Sequence, residues 1–183
     1  MALNGVLSYF GSKREMAPEI ITHFKPHDIY YEPFLGGAAV LMAKERSRQE
    51  AATDANPDVL NLLRCLADSV ACEDLWGRAA RYPLSESLFH EAAEHLSQSW
   101  PPPFVATFGE RVNRAWSFLL VSWQGPSGLA GTTAKPRFAK RNTASGGSLA
   151  ARWRNVSESI PAWHERLRNL EFRSCDGFAL LDD

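Results

Sequence analysis

The first third of the chain alternates between short apolar runs and longer stretches with one apolar face. Asp28-Ile29-Tyr30-Tyr31-Glu32 is a compact apolar and aromatic run that stops at Pro33, which predicts a short buried strand. Gly36-Gly37 predicts a tight turn, and Ala38 to Arg46, with Val40, Leu41 and Met42 inside it, predicts a helix. Glu50-Ala51-Ala52-Thr53 predicts a second, weaker strand. Asn56 is a good N-cap, and Pro57 suits the first helical position. Val59, Leu60, Leu62, Leu63 and Leu66 then share one helix face. Strand, helix, strand and helix in that order imply a parallel sheet covered by helices, and hence an α/β fold.

Further along, the pattern changes. Residues 73–124 read as helical, interrupted by Trp100-Pro101-Pro102-Pro103. Residues 125–148 are rich in Gly, Ser, Thr and Pro and have no periodicity, so they read as a long loop of the functional or disordered kind. A helix is predicted at 158–168. Asn169 to Ser174, with Leu170 and Phe172 on one face, reads as a returning strand. There is no internal repeat and no heptad pattern.

Composition bounds these elements. A chain of 183 residues with 45 % hydrophobic content can bury one core, with a subdomain inserted in it. No run of about 18 apolar residues exists, which excludes a transmembrane helix and makes a membrane partner unexpected. Met1-Ala2-Leu3-Asn4-Gly5 has neither a basic start nor an apolar signal core. Cys65, Cys72 and Cys175 form no CxxC pair and read as free or buried thiols of a reducing cytoplasm. The net charge of −1 conceals a strong polarity. Residues 1–100 carry nine lysines and arginines against fourteen acidic residues, whereas residues 130–175 carry nine against three. The basic stretch holds Lys135, Arg137, Lys140, Arg141, Arg152, Arg154, Arg166, Arg168 and Arg173, with Phe138 and Trp153 among them. Such a chain can offer one basic face to phosphates, and on charge alone a merely solvated surface is an equal alternative.

Three short motifs follow in a fixed order. Tyr9-Phe10-Gly11-Ser12-Lys13 is weak by itself, because Gly-Ser is an ordinary turn. Glu32-Pro33-Phe34-Leu35-Gly36-Gly37-Ala38 places small residues between a strand end and a helix. There glycines let backbone approach a ligand, and the helix start offers amide donors. Asp54 closes the next strand, 18 residues after Gly36. In nucleotide-binding α/β folds an acidic residue about 20 residues past the glycines takes the ribose hydroxyls. Together the second and third motifs argue for an adenosine-containing ligand.

The ordered set resembles the Dam-type family of DNA adenine-N6 methyltransferases: Tyr-x-Gly-Ser-Lys, then Glu-Pro-Phe-x-Gly-Gly, then Thr-Asp-x-Asn-x-Asp-Val. The likeness extends more loosely through Ser122–Gly131 and Arg152–Asp176. It implies a Rossmann-like S-adenosylmethionine-dependent fold with an inserted, mostly helical target-recognition subdomain. Residues 1–70 would form the cofactor-binding part, 71–165 the insertion and 166–183 the return to the sheet. The cofactor implied is S-adenosylmethionine and the partner double-stranded DNA, with no metal. Tyr9, Gly11 and Lys13 match the N-terminal cofactor motif. Glu32, Phe34 and Gly36 match the glycine motif under the methionine part, and Asp54 matches the carboxylate on the ribose. Phe172 and Asp176 sit where the family contacts the adenine. Trp123, Lys135, Arg137, Lys140, Arg141 and Arg152 are the candidate DNA contacts, within a segment from about 123 to 154.

Two departures qualify the resemblance. Ala38 and Ala39 replace the more usual Gly-Ser, and alanine resists positive φ, so a differently shaped turn is expected. The catalytic Asp-Pro-Pro-Tyr motif is absent. Pro101-Pro102-Pro103-Phe104 does not replace it, because Pro101 has no side-chain acceptor for the adenine amino hydrogens. The chain ends at Asp182-Asp183, where family members still approach that motif. The expectation is therefore a truncated fold with an exposed sheet edge, and no activity from the chain alone. A non-catalytic DNA- or S-adenosylmethionine-binding fragment is the alternative. A nicotinamide oxidoreductase is less favoured because GxGxxG is missing. Asp54-x-Asn56-x-Asp58 imitates a calcium loop but has Val59 where Gly is needed and Cys65 where Glu is needed. His90 and His95 lie five apart, on different helix faces, and do not form a zinc pair.

Overall fold

The computed structural model describes residues 5–8, 12–99, 105–125, 136–139, 148–175 and 177–178. Among these residues the chain runs α1 (Ala17–Thr22), β1 (Ile29–Glu32), α2 (Ala39–Ala43), β2 (Gln49–Ala52), α3 (Pro57–Ala67), α4 (Ser69–Arg81), α5 (Glu86–Ser97), α6 (Phe108–Gln124), α7 (Leu149–Leu167) and β3 (Glu171–Phe172). The strands lie side by side in the order β1-β2-β3, all parallel. Glu32 pairs with Ala52, and Ala52 with Phe172, so the three carboxyl ends lie level at one edge of the sheet. Chain leaving parallel strands at a common edge creates a crevice there, the usual place for a ligand in open α/β sheets.

The α/β alternation read from the sequence is present, with altered boundaries. α2 stops at Ala43 rather than Arg46 because Lys44 turns to an extended conformation. Its buried ammonium is held by the Glu45 carbonyl, the Ser47 hydroxyl and Glu50. β3 is two residues long, not six. α7 begins at Leu149, well before the expected start at 158. Its stripe of Leu149, Trp153, Val156, Ile160, Trp163 and Leu167 is buried at three- and four-residue spacing. Pro161 lies inside this helix, on its exposed side, where the missing amide removes one intrahelical bond without opening the core. Helix α1 was not expected: only Ala17 of it is buried, so it carries little hydrophobic pattern.

The core centres on α6. Thr107 and Glu110 close a capping box at its start, and Ala115 to Ser122 are buried on all sides. Helices α3 and α5 pack on α6, and α7 packs on α3 and α4. One hydrophobic cluster runs from Val6 and Leu7 through Leu41 and Leu63 to Leu119 and Trp163. The helices that follow α3 therefore share their core with the helix that starts at the sheet's carboxyl edge. Among the described residues no helix is long and apolar enough to cross a membrane.

Candidate functional site

At the end of β1 the chain turns sharply back over the exit of β2. Thr53 donates its amide to the Glu32 carbonyl at 3.1 Å, and Leu35 donates to the Thr53 carbonyl at 3.1 Å, which extends the ladder past the strands. Gly36 then adopts φ +50°, and its amide donates to Asp54 Oδ2 at 2.6 Å. The other oxygen, Oδ1, accepts the amide of Asn56 at 2.8 Å. Asn56 in turn caps α3 by accepting from the Asp58 amide at 2.9 Å. One carboxylate thus fixes the glycine turn and the entry to α3, and each of its oxygens keeps a further lone pair. A Cβ at Gly36 would meet nothing within 4 Å, so the glycine is required for its backbone angle and the space beside it is open.

Ala38 takes the left-handed conformation, φ 56° and ψ 30°, against the expectation for alanine. Its amide closes the turn onto the Leu35 carbonyl at 2.8 Å and its methyl group is fully buried. Those gains offset a strain of about 1–2 kcal/mol. The N-terminal segment crosses beneath this turn. Val6 donates to the Gly37 carbonyl at 2.8 Å, and a Cβ on Gly5 would lie 2.9 Å from that oxygen. Lys13 Nζ donates to the Phe34 carbonyl at 3.1 Å.

A third strand of chain reaches the same edge after β3. Arg173 donates to the Ala52 carbonyl at 2.9 Å, and the Thr53 hydroxyl donates to the Cys175 carbonyl at 2.8 Å. Gly177 packs so closely that a Cβ there would lie 2.6 Å from the Pro33 carbonyl oxygen and 2.8 Å from the Phe34 ring. The rings of Phe34 and Phe178, both exposed, meet edge to face at 5.5 Å.

Beneath the turn lies a buried polar chain. Tyr30 donates its hydroxyl to Glu32 Oε2 at 3.0 Å. Burial pushes the Glu32 carboxyl up to about 7, against the opposing pull of the Tyr30 bond and the Lys13 charge. Burial, and then the charge of Glu32, also raise the Tyr30 hydroxyl. Lys44 lies over the Tyr30 ring at 4.3 Å and reaches Glu50 at 2.7 Å. Arg166 of α7 grips both oxygens of Glu50, at 2.5 and 2.9 Å. Although burial alone would raise Glu50, these two cations hold its carboxyl below the usual range.

The structure brings Lys13, Glu32, Phe34, Gly36 and Asp54 together at this edge. Phe172 is in β3, where its ring packs against the core and its carbonyl accepts from Arg64 at 3.3 Å. Tyr9, Gly11 and Asp176 lie outside the described residues, as do Lys135, Lys140 and Arg141. Trp123 donates its indole N–H to the Val6 carbonyl at 2.8 Å and carries Arg14 over its ring at 5.5 Å. Arg137 is exposed, and the neighbouring Phe138 packs edge-on against Phe89 at 5.6 Å. Arg152 is half-buried, and its Nε has no hydrogen-bond partner among the described residues. Sequence reasoning missed Tyr30, Thr53, Gly177 and Phe178. The Asp176-Gly177 pair was the available signal for the last two, since a glycine beside a candidate contact marks a close approach.

The two histidines set aside as a zinc pair have separate surroundings: His95 Nδ1 lies 2.9 Å from the Ser117 hydroxyl, and His90 lies near Glu86. Asp58 is held bidentately by Arg114 at 2.8 and 3.1 Å. Among the described residues no three His, Cys, Asp or Glu side chains converge to hold a metal.

Comparison with known proteins gives one family. The D12 class N6 adenine-specific DNA methyltransferase family matches residues 9–109, from the first motif through the glycine turn and Asp54 to the start of α6. No curated protein matches the chain.

Proposed function

The chain belongs to the D12 class of N6 adenine-specific DNA methyltransferases, and from that premise we propose that it binds S-adenosylmethionine at the carboxyl edge of its sheet for methylation of adenine in double-stranded DNA. The observation that carries this reading is the Asp54 clamp: one carboxylate holds the Gly36 turn and still offers lone pairs beside open space. Ribose hydroxyls donated to those lone pairs would make charge-assisted bonds. The bare backbone at Gly36 admits the methionine part, and Lys13 puts a positive charge beside it. Phe34 and Phe178 offer apolar surface at the mouth of the crevice. Tyr9, Gly11, Phe172 and Asp176 complete the proposed cofactor set. The parallel sheet with helical connections is consistent with the Rossmann-like fold that such a cofactor uses.

The bound cofactor supplies an electrophilic methyl group on a sulfonium. Acceptors for the adenine amino hydrogens and an aromatic wall for the flipped base must come from the Asp-Pro-Pro-Tyr motif, which the 183 residues do not contain. We therefore assign residues 1–70 and 166–183 to cofactor binding and 71–165 to target recognition, with DNA along about 123–154. That absence favours a second reading of the chain taken alone, as a cofactor- and DNA-binding unit without transfer. Two measurements test the assignment. Calorimetric titration of the folded chain with S-adenosylmethionine should show saturable one-to-one binding; no binding would overturn the cofactor site. Labelled-methyl transfer to adenine-containing duplex should give no turnover, and robust turnover would show that another acceptor does the chemistry.

A further inference from the structure

Away from the glycine turn, α3, the α3–α4 junction and the first turns of α6 surround a cavity of about 260 Å³. Asn61, Arg64, Cys65, Asp68, Phe108 and Arg111 line it. Two guanidinium groups, one from α3 and one from α6, therefore face a single half-enclosed space. Elsewhere the chain pairs such arginines with carboxylates, using two bonds each: Arg114 with Asp58, Arg166 with Glu50, and Arg78 with Asp74. Here neither arginine is paired with a carboxylate among the described residues. Arg64 uses one nitrogen, Nη2, on the Ser174 hydroxyl at 2.7 Å and the Phe172 carbonyl at 3.3 Å. Arg111 has no side-chain acceptor among the described residues. Asp68, the carboxylate in the lining, caps α4 through the Ala71 amide at 2.9 Å and forms no ion pair with either arginine.

A guanidinium cannot shed its proton, so the repulsion between the Arg64 and Arg111 charges persists at every working pH. Burial, and then the nearby Arg111 charge, both act against the charged form of Arg64. An oxyanion between the two would relieve both costs. A tetrahedral one with several acceptor oxygens suits two planar donor forks better than a single carboxylate does. We propose that the Arg64–Arg111 cavity is a binding site for a phosphate group. S-adenosylmethionine carries no phosphate, so this site is separate from the proposed cofactor crevice. The group could belong to a DNA backbone or to a small phosphate-bearing molecule, and the chemistry of the cavity is the same for both.

Arg111→Gln is the decisive variant, because the Arg111 side chain makes no hydrogen bond or ion pair among the described residues. The first measurement is the unfolding midpoint of the chain with inorganic phosphate, at ionic strength matched by sodium chloride. Binding to the folded form raises that midpoint. The expected result is a phosphate-specific rise in wild type that needs at least tenfold more phosphate in Arg111→Gln. The second measurement is the salt dependence of binding to a short adenine-containing duplex. A slope reduced by about one in Arg111→Gln assigns the site to a DNA phosphate, whether or not free phosphate gives a response. An unchanged slope with an Arg111-dependent phosphate response assigns it to a small phosphate-bearing molecule. An unchanged slope with no phosphate response, or with one that ignores Arg111, overturns the proposal. Failure of the chain to bind duplex would count against the DNA reading above, while the phosphate arm would still decide this site.

Discussion

Replacing Asp54 with alanine removes the acceptor for two backbone amides at once, those of Gly36 and Asn56. A hydrogen bond to a charged group contributes about 1.5–3 kcal/mol, and partly exposed groups fall at the low end because water replaces the lost partner. Asp54 is half-buried, so the two bonds together should contribute about 2–4 kcal/mol. For a domain of this size that corresponds to a fall of roughly 5–15 °C in Tm. The loss is concentrated where the Gly36 turn meets the start of α3, which is also where the ribose is proposed to bind. Affinity for S-adenosylmethionine should therefore drop on the order of tenfold to a hundredfold, or more. Asp54→Asn tests the charge at constant volume: it keeps one acceptor oxygen but turns an NH₂ group toward one of the donating amides. It should unfold below wild type and bind cofactor weakly. Urea unfolding gives the first quantity, and calorimetry at a temperature where all three proteins are folded gives the second. If Asp54→Ala unfolds within about 0.5 kcal/mol of wild type and binds cofactor equally well, the carboxylate does not organise this edge.

Three further outcomes are expected, the first two from this geometry and the third from the basic composition of the 123–154 segment. Glu32 ionises at about 7 when folded, against an ordinary 4.5, so the native state holds a proton that the unfolded chain has released between those values. Stability should fall as pH rises through that window, by on the order of 3 kcal/mol, and level off above it; Glu32→Gln should remove this decline, and parallel stability curves for the two proteins would refute it. Gly177→Ala forces a methyl group into the Pro33 carbonyl and the Phe34 ring, which should cost about 1–3 kcal/mol and expose the chain after Arg173 to limited proteolysis, so unchanged cleavage would contradict the packing. Mutating Arg137, Lys140 and Arg141 together should flatten the salt slope for DNA binding by about two to three units, and an unaltered slope would place the DNA elsewhere.

Much of the sheet-edge framework could be read from the sequence because its causes are local. An apolar run ending in Pro33, glycines before a helix, and the Asn56-Pro57 cap each act within a few residues. The same local spacing picked out Gly36 and Asp54, and the family resemblance added Glu32 and Phe34 from the same strand–turn–strand unit of chain. Other features depended on partners too distant for any window to relate. Glu50 lies 116 residues from Arg166, and that pairing, with Lys44, bends the chain and ends α2 early. Thr53 lies 122 residues from the Cys175 carbonyl it holds, and Gly177 matters only because the return from β3 brings it against Phe34. Ala38 looked unsuited to a left-handed turn, yet burial of its methyl group and the bond to Leu35 outweigh the strain. Pro161 reads as a helix breaker, but the buried stripe from Leu149 to Leu167 keeps α7 continuous through it. Periodicity and caps set where elements can form. The burial of side chains brought together from opposite ends of the chain decided their limits and what they carry to the crevice.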